Sequence, residues 1–104
     1  MKVKIKDYDY EIVEEEDGNN VYIDGEEMRL GLCDFINQKI YLHKNIRRER
    51  KYKTLVHELT HAFLESYGFI QESYDEEQLC EIMALYSNEI NDICDKYFEQ
   101  RGDK

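Results

Sequence analysis

Two apolar rhythms divide this chain and leave few folds open to it. From Asn45 to Ser66, and again from Ser73 to Phe98, apolar residues recur every three or four positions, the spacing of one face of an α-helix. Across the first 43 residues they alternate with polar ones, as in Val3-Lys4-Ile5 and Tyr10-Glu11-Ile12-Val13, which is the period of a strand. A sheet-forming segment followed by two helices, within 104 residues, predicts an α+β fold in which a small N-terminal antiparallel sheet packs against two main helices. A chain of this length supports one domain with one modest core, and no separate recognition module.

Residues 1–43 carry four or five strands. Asp17-Gly18-Asn19-Asn20 is a loop, Val21-Tyr22-Ile23 a short strand and Asp24-Gly25 a tight turn; Met28 to Cys33 and Lys39 to Leu42 complete the set. The first helix, residues 45–66, has Asn45 as its N-cap and stops at Gly68, a residue that tolerates left-handed C-terminal geometry. On it Tyr52, Leu55, Val56, Leu59, Ala62 and Phe63 gather on one side, toward the sheet, while His57 and His61 fall on the other. The second helix, residues 73–98, opens on a capping box of Ser73 and Glu76. Its stripe of Leu79, Ile82, Met83, Tyr86, Ile90, Ile93, Cys94 and Tyr97 is expected in the core.

Charge and cysteines exclude several classes of partner. A formal net charge of −10 argues against nucleic acid and anionic membrane surfaces, both of which demand a basic face. Cys33, Cys80 and Cys94 are an odd number without paired metal-ligand spacing, so they read as buried thiols in a reducing cytoplasm. The segment Met1-Lys2-Val3-Lys4-Ile5-Lys6-Asp7 has no apolar run of the kind a signal peptide needs, and no later segment is apolar enough to span a bilayer. The expectation is a cytoplasmic protein.

The chemistry concentrates in His57-Glu58-Leu59-Thr60-His61. Residues four apart lie one above the other on a helix, so His57 and His61 can close on a single zinc ion. Glu58 projects about 100° around the axis, which suits a base beside the metal rather than a ligand. That combination points to metal-assisted hydrolysis of an amide bond in a peptide or protein substrate. A catalytic zinc normally takes three protein ligands, and a carboxylate from the second helix is the natural third. Glu76, Glu77, Glu81 and Glu89 are available; Glu81 is favoured because Ala84, close by, lets the helices approach, and Glu77, one turn earlier, is its rival.

Other groups have plainer readings. His43 could donate to a transition-state oxyanion, but reads first as a half-exposed histidine at a strand end. Tyr74 and Tyr86 could serve the same oxygen, with packing their default role. The basic run Arg47-Arg48-Glu49-Arg50-Lys51-Tyr52-Lys53 and the acidic clusters Glu14-Glu15-Glu16-Asp17 and Asp75-Glu76-Glu77 read as solvated charges.

Taken with Leu30-Gly31-Leu32-Cys33-Asp34, Lys39-Ile40-Tyr41-Leu42, Thr54-Leu55-Val56-His57-Glu58-Leu59-Thr60-His61-Ala62 and Glu81-Ile82-Met83-Ala84, the chain resembles small phage and Gram-positive metallopeptidases related to the ImmA/IrrE family, a gluzincin group. The resemblance implies a minimal zincin-like domain with zinc as cofactor and Glu81 completing the site. It also implies that Lys39 to Leu42 lies beside the site and pairs with an extended substrate. The family includes regulatory proteases, some of which act on a repressor; this sequence carries no helix-turn-helix extension of the larger members, which leaves its substrate open. The competing expectation is a non-catalytic zinc-binding protein that works by binding a regulatory partner.

Overall fold

In the computed structural model, which describes residues 1–68 and 74–102, the alternating segments become short strands and the periodic ones two helices. β1 (Lys2–Ile5) and β2 (Tyr8–Glu15) form a hairpin that turns at Lys6 and Asp7, with Lys6 left-handed at φ 54°. β3 (Tyr22–Asp24) and β4 (Glu27–Arg29) make a separate two-stranded ribbon closed at Gly25, φ 63°, where the Asp24-Gly25 signal predicts a turn. β5 (Gly31–Asp34) and β6 (Lys39–His43) complete a four-stranded sheet of order β1-β2-β6-β5. Between them the Asp34 carboxylate accepts the backbone N–H groups of Ile36 and Asn37, each at 3.1 Å, and so fixes the turn.

The α+β class and the two helices are as expected, but the sheet is mixed rather than wholly antiparallel. β2 and β6 run parallel, with Ile12 opposite Ile40 and Glu14 opposite Leu42. Residues 16–38 carry the chain out through the β3–β4 ribbon and β5 before it returns beside β2 in the same direction, the long crossover that parallel neighbours require. The expected strand from Met28 to Cys33 is split at Leu30, its halves belonging to different sheets.

α1 (Arg48–Ser66) and α2 (Glu76–Gln100) cover the sheet face that carries Val3, Ile5, Tyr10, Ile12, Ile40 and Leu42. Leu55, Leu59, Ala62 and Phe63 enter this core from α1, and Ile90, Cys94, Tyr97 and Phe98 from α2. Phe98 stacks on Tyr52 at a ring separation of 5.5 Å, tying the C-terminal end of α2 to the start of α1. Asn45 is not the cap of α1: its N–H donates to His43 Nδ1 at 3.0 Å, which holds it in the preceding turn, and the helix starts after Arg47 without a side-chain cap. Gly68 follows the end of α1 with φ 80°, as predicted. The cap of α2 is Asp75, whose carboxylate accepts the Gln78 N–H at 2.8 Å while the Gln78 side chain accepts the Asp75 N–H at 3.1 Å. Ser73, the expected cap, lies outside the described residues.

The α2 stripe is buried only in part. Leu79 and Met83 are each 54% exposed, and Ile82 is the one buried residue between Glu76 and Leu85, because the core contacts gather toward the C-terminal half of the helix. Cys80, expected to be buried, is exposed on these same turns, whereas Cys94 is buried and Cys33 half-buried.

Two residues read as solvated charges are instead drawn inward. Glu14 shares its strand face with Tyr10 and Ile12, and Lys51 stands one turn before Leu55 on the inner face of α1, so both periodicities aim them at the core. Lys51, 2% exposed, donates from Nζ to Glu14 Oε1 at 2.6 Å and to the Lys44 carbonyl at 3.0 Å. Arg101 Nε reaches Glu14 Oε2 at 2.7 Å, and the Tyr97 hydroxyl donates to the same oxygen. Burial pushes the Glu14 carboxyl up, but the Lys51 and Tyr97 hydrogen bonds and the Lys51 and Arg101 charges outweigh it, and the group lies below the ordinary glutamate range. Glu14 thus braces β2 against both helices. Among the described residues no helix is long and apolar enough to cross a membrane.

Candidate metal centre

Helix α1 sorts its side chains by period. With Leu55 and Leu59 fully buried, His57 and His61 emerge on the outer side one turn apart, as their spacing predicts. Their Nε2 atoms are 3.2 Å apart, with ring centroids 4.9 Å apart and ring planes at 77°. Two nitrogens bonded to one tetrahedral zinc at its usual bond lengths stand about 3.3 Å apart. The pair therefore fits two ligands of a single ion.

Glu58 occupies the flank between these faces, 8% exposed and pressed on β5. The backbone N–H of Cys33 bears on this carboxylate and lowers its proton affinity. Gly31 makes the approach feasible: a Cβ there would stand 2.5 Å from Thr54 Cγ2 and 2.9 Å from Glu58 Cγ. Burial raises the Glu58 carboxyl above the ordinary glutamate range, and the His57 and His61 rings, the Cys33 N–H and Arg29 offset part of that. A carboxylate beside two imidazoles is placed to accept a proton from a water held there.

The third ligand does not meet the pair in this arrangement. Glu81 and Glu77 are exposed, and among the described residues no three His, Cys, Asp or Glu side chains converge in a metal-holding group. The seam between the helices is mostly apolar instead, a cavity of about 100 Å³ lined by Val56 and Thr60 from α1 and by Ile82, Met83, Ser87, Ile90 and Asn91 from α2. Glu81 precedes Ile82, so the helix swings it about 100° from that seam. Its charge is felt by Tyr86, whose hydroxyl is raised first by burial and then by Tyr67, Glu89 and Glu81.

Two further expectations change. His43 is not half-exposed but 2% exposed, with both nitrogens in use: Nδ1 accepts the Asn45 N–H and Nε2 lies 2.6 Å from Asp17 Oδ1. With Nδ1 accepting, Nε2 carries the proton and donates to Asp17, leaving neither nitrogen for an oxyanion. That bond, with the Ile23 N–H, holds the Asp17 carboxyl below its ordinary range. Strand β6, expected to pair with a substrate, is interior, with β2 on one side and β5 on the other; β5 is the edge. Tyr86 packs, its ring stacked on Tyr67 at 4.7 Å.

Sequence reasoning missed Gly31, Cys33 and Thr54 as neighbours of Glu58. The available signal was a glycine inside a strand, which often marks close approach of another element. No family model matches the chain, and neither a curated protein nor a solved structure matches it.

Proposed function

We propose that the chain is a zinc-dependent peptidase of the ImmA/IrrE kind that hydrolyses an amide bond in a protein substrate. The observation that carries this reading is the His57 and His61 Nε2 pair, 3.2 Å apart, with the buried Glu58 carboxylate beside it. Zinc held by His57, His61 and Glu81 would polarise the scissile carbonyl and acidify water. Glu58 takes a proton from the attacking water as its oxygen bonds to the carbonyl carbon, and returns that proton to the amine nitrogen as the C–N bond breaks.

For Glu81 to join the histidines, the first turns of α2, which bury Ile82 alone between residues 76 and 85, would have to move. The edge strand β5, rather than β6, lies next to Glu58 and leaves the Gly31 N–H facing outward for an extended peptide. A net charge of −10 favours neutral or cationic segments of the substrate. Three free cysteines agree with a reducing cytoplasm as the site of action.

The test is purified protein assayed for zinc content and peptide hydrolysis, with Glu58→Gln alongside. Zinc near one per chain in both, and turnover in the wild type alone, is the expected result. Failure to take up any transition metal sinks the proposal. A second reading, a non-catalytic protein that binds a regulator, draws on the absence of a third converging ligand among the described residues and on the exposure of Leu79, Met83 and Leu85 along α2. It requires wild-type protein that binds zinc, or none, and cleaves nothing.

A further inference from the structure

We infer that edge strand β5 aims the Glu58 carboxylate, with the Cys33 amide as its anchor and Gly31 as the gap that admits it; this rests on the reading of Glu58 as proton acceptor. The ladder with β6 decides which backbone groups are free to do so. The Leu30 carbonyl accepts the His43 N–H at 2.8 Å, and the register continues with Gly31 opposite Leu42, Leu32 opposite Tyr41 and Cys33 opposite Ile40. Antiparallel pairs alternate between bonded and non-bonded, so Leu30, Leu32 and Asp34 bond to β6 while Gly31 and Cys33 turn their N–H groups to the open edge. The Cys33 N–H therefore has no strand partner in β6, and on this inference the Glu58 carboxylate, whose proton affinity it lowers, takes that place. A bond from an amide to a carboxylate is charge-assisted and directional, which fixes the carboxylate as well as satisfying the amide.

The second constraint is steric. Gly31 is not one of the glycines at positive φ, which are Gly25, Gly68 and Gly102, so the position uses its lack of a side chain rather than an unusual backbone. A methyl group at 31 would lie 2.5 Å from Thr54 Cγ2, 2.9 Å from Glu58 Cγ and 3.1 Å from Glu58 Oε2. Thr54 cannot swing its methyl aside at no cost, because its hydroxyl donates to the Arg50 carbonyl at 2.7 Å. With Ala at 31, either α1 lifts from the strand or Glu58 leaves the Cys33 amide. Gly31 is thus a positioning residue, acting on the chemistry through Glu58.

The experiment separates these effects with the double variant Gly31→Ala/Thr54→Ser. Serine keeps the hydroxyl that bonds Arg50 and removes the Cγ2 methyl, so the helix can stay seated while the conflict with Glu58 remains. In ¹⁵N–¹H spectra the Cys33 amide proton is expected to lie far downfield in the wild type, to move upfield in Glu58→Gln and in the double variant, and to stay in place in Thr54→Ser. In peptide hydrolysis the double variant is expected to lose about a hundredfold in kcat, the usual consequence of ångström-scale misplacement, with KM and zinc content close to wild type. A Cys33 amide that does not move in the double variant overturns the inference whatever the turnover, and so does a shifted amide with unchanged kcat. Wild-type protein without turnover would end the peptidase reading, while the amide shift would still decide whether β5 holds Glu58.

Discussion

The Nε2 atoms of His57 and His61 face each other at 3.2 Å across one turn of α1. Because both rings stand away from the core, replacing either with alanine should leave the fold nearly untouched, within about 0.5 kcal/mol as for other surface positions. Zinc affinity, in contrast, should fall by more than about tenfold for each, a loss of at least about 1.4 kcal/mol of binding. Isothermal titration with zinc, paired with thermal unfolding of the metal-free proteins, checks both halves. Unaltered affinity in either variant would mean that the ion, if bound, sits elsewhere.

The choice between Glu81 and Glu77 can be read in the same way. Both are exposed on the early turns of α2, so neither substitution should disturb packing. Glu81→Gln is expected to weaken zinc binding by about tenfold or more, and Glu77→Gln to leave it unchanged. The reverse pattern would transfer the third position to Glu77, and two neutral results would pass it to Glu76 or Glu89 or leave zinc on the histidine pair alone.

What could be read from the chain beforehand follows from how local each determinant is. The division of α1 into a buried Leu55 and Leu59 side and an outward His57 and His61 side depends only on the helical period, and it stands. Parallel pairing of β2 with β6 could not be seen, since a strand alternates with period two whatever the direction of its neighbour. Burial of Lys51 was hidden for another reason: its partner Glu14 is 37 positions away, and lysine and glutamate are solvated by default unless such a partner arrives. The Glu58 environment was half legible. The motif named the residue, but the strand that holds it enters through Gly31 and Cys33, whose roles come from tertiary contact alone.

His43 offers a test of a role that the geometry removes. Its two ring nitrogens are committed to Asp17 and to the Asn45 N–H, so His43→Leu removes both bonds, although Asp17 and Asn45 are exposed and water can take the place of the ring. The melting temperature should fall only slightly, because solvent can satisfy the groups the ring leaves. Turnover per folded molecule should remain at the wild-type level, measured at a temperature where the variant is fully folded. A loss of kcat in folded protein would instead restore His43 as a donor to the reacting oxygen.

Glu14 should impose a pH dependence on stability. Its carboxyl is lowered in the folded protein by the Lys51 and Tyr97 hydrogen bonds and the Lys51 and Arg101 charges, against the upward push of burial. In the unfolded chain it returns to about 4.3. A group whose folded value is the lower one contributes stability that is complete above the unfolded value and is lost as pH falls through the folded value, because the unfolded state then binds the proton more readily. Wild-type melting temperature should therefore decline from about pH 5 downward, and Glu14→Gln, already less stable at neutral pH, should decline less steeply over the same range. Lys51→Met, which leaves Glu14 buried beside Tyr97 and Arg101 without its closest cation, should cost about 3 kcal/mol at pH 7, the low end for breaking a buried pair. Parallel pH profiles for wild type and Glu14→Gln, followed by circular dichroism on heating, would show that the brace contributes nothing that depends on its charge.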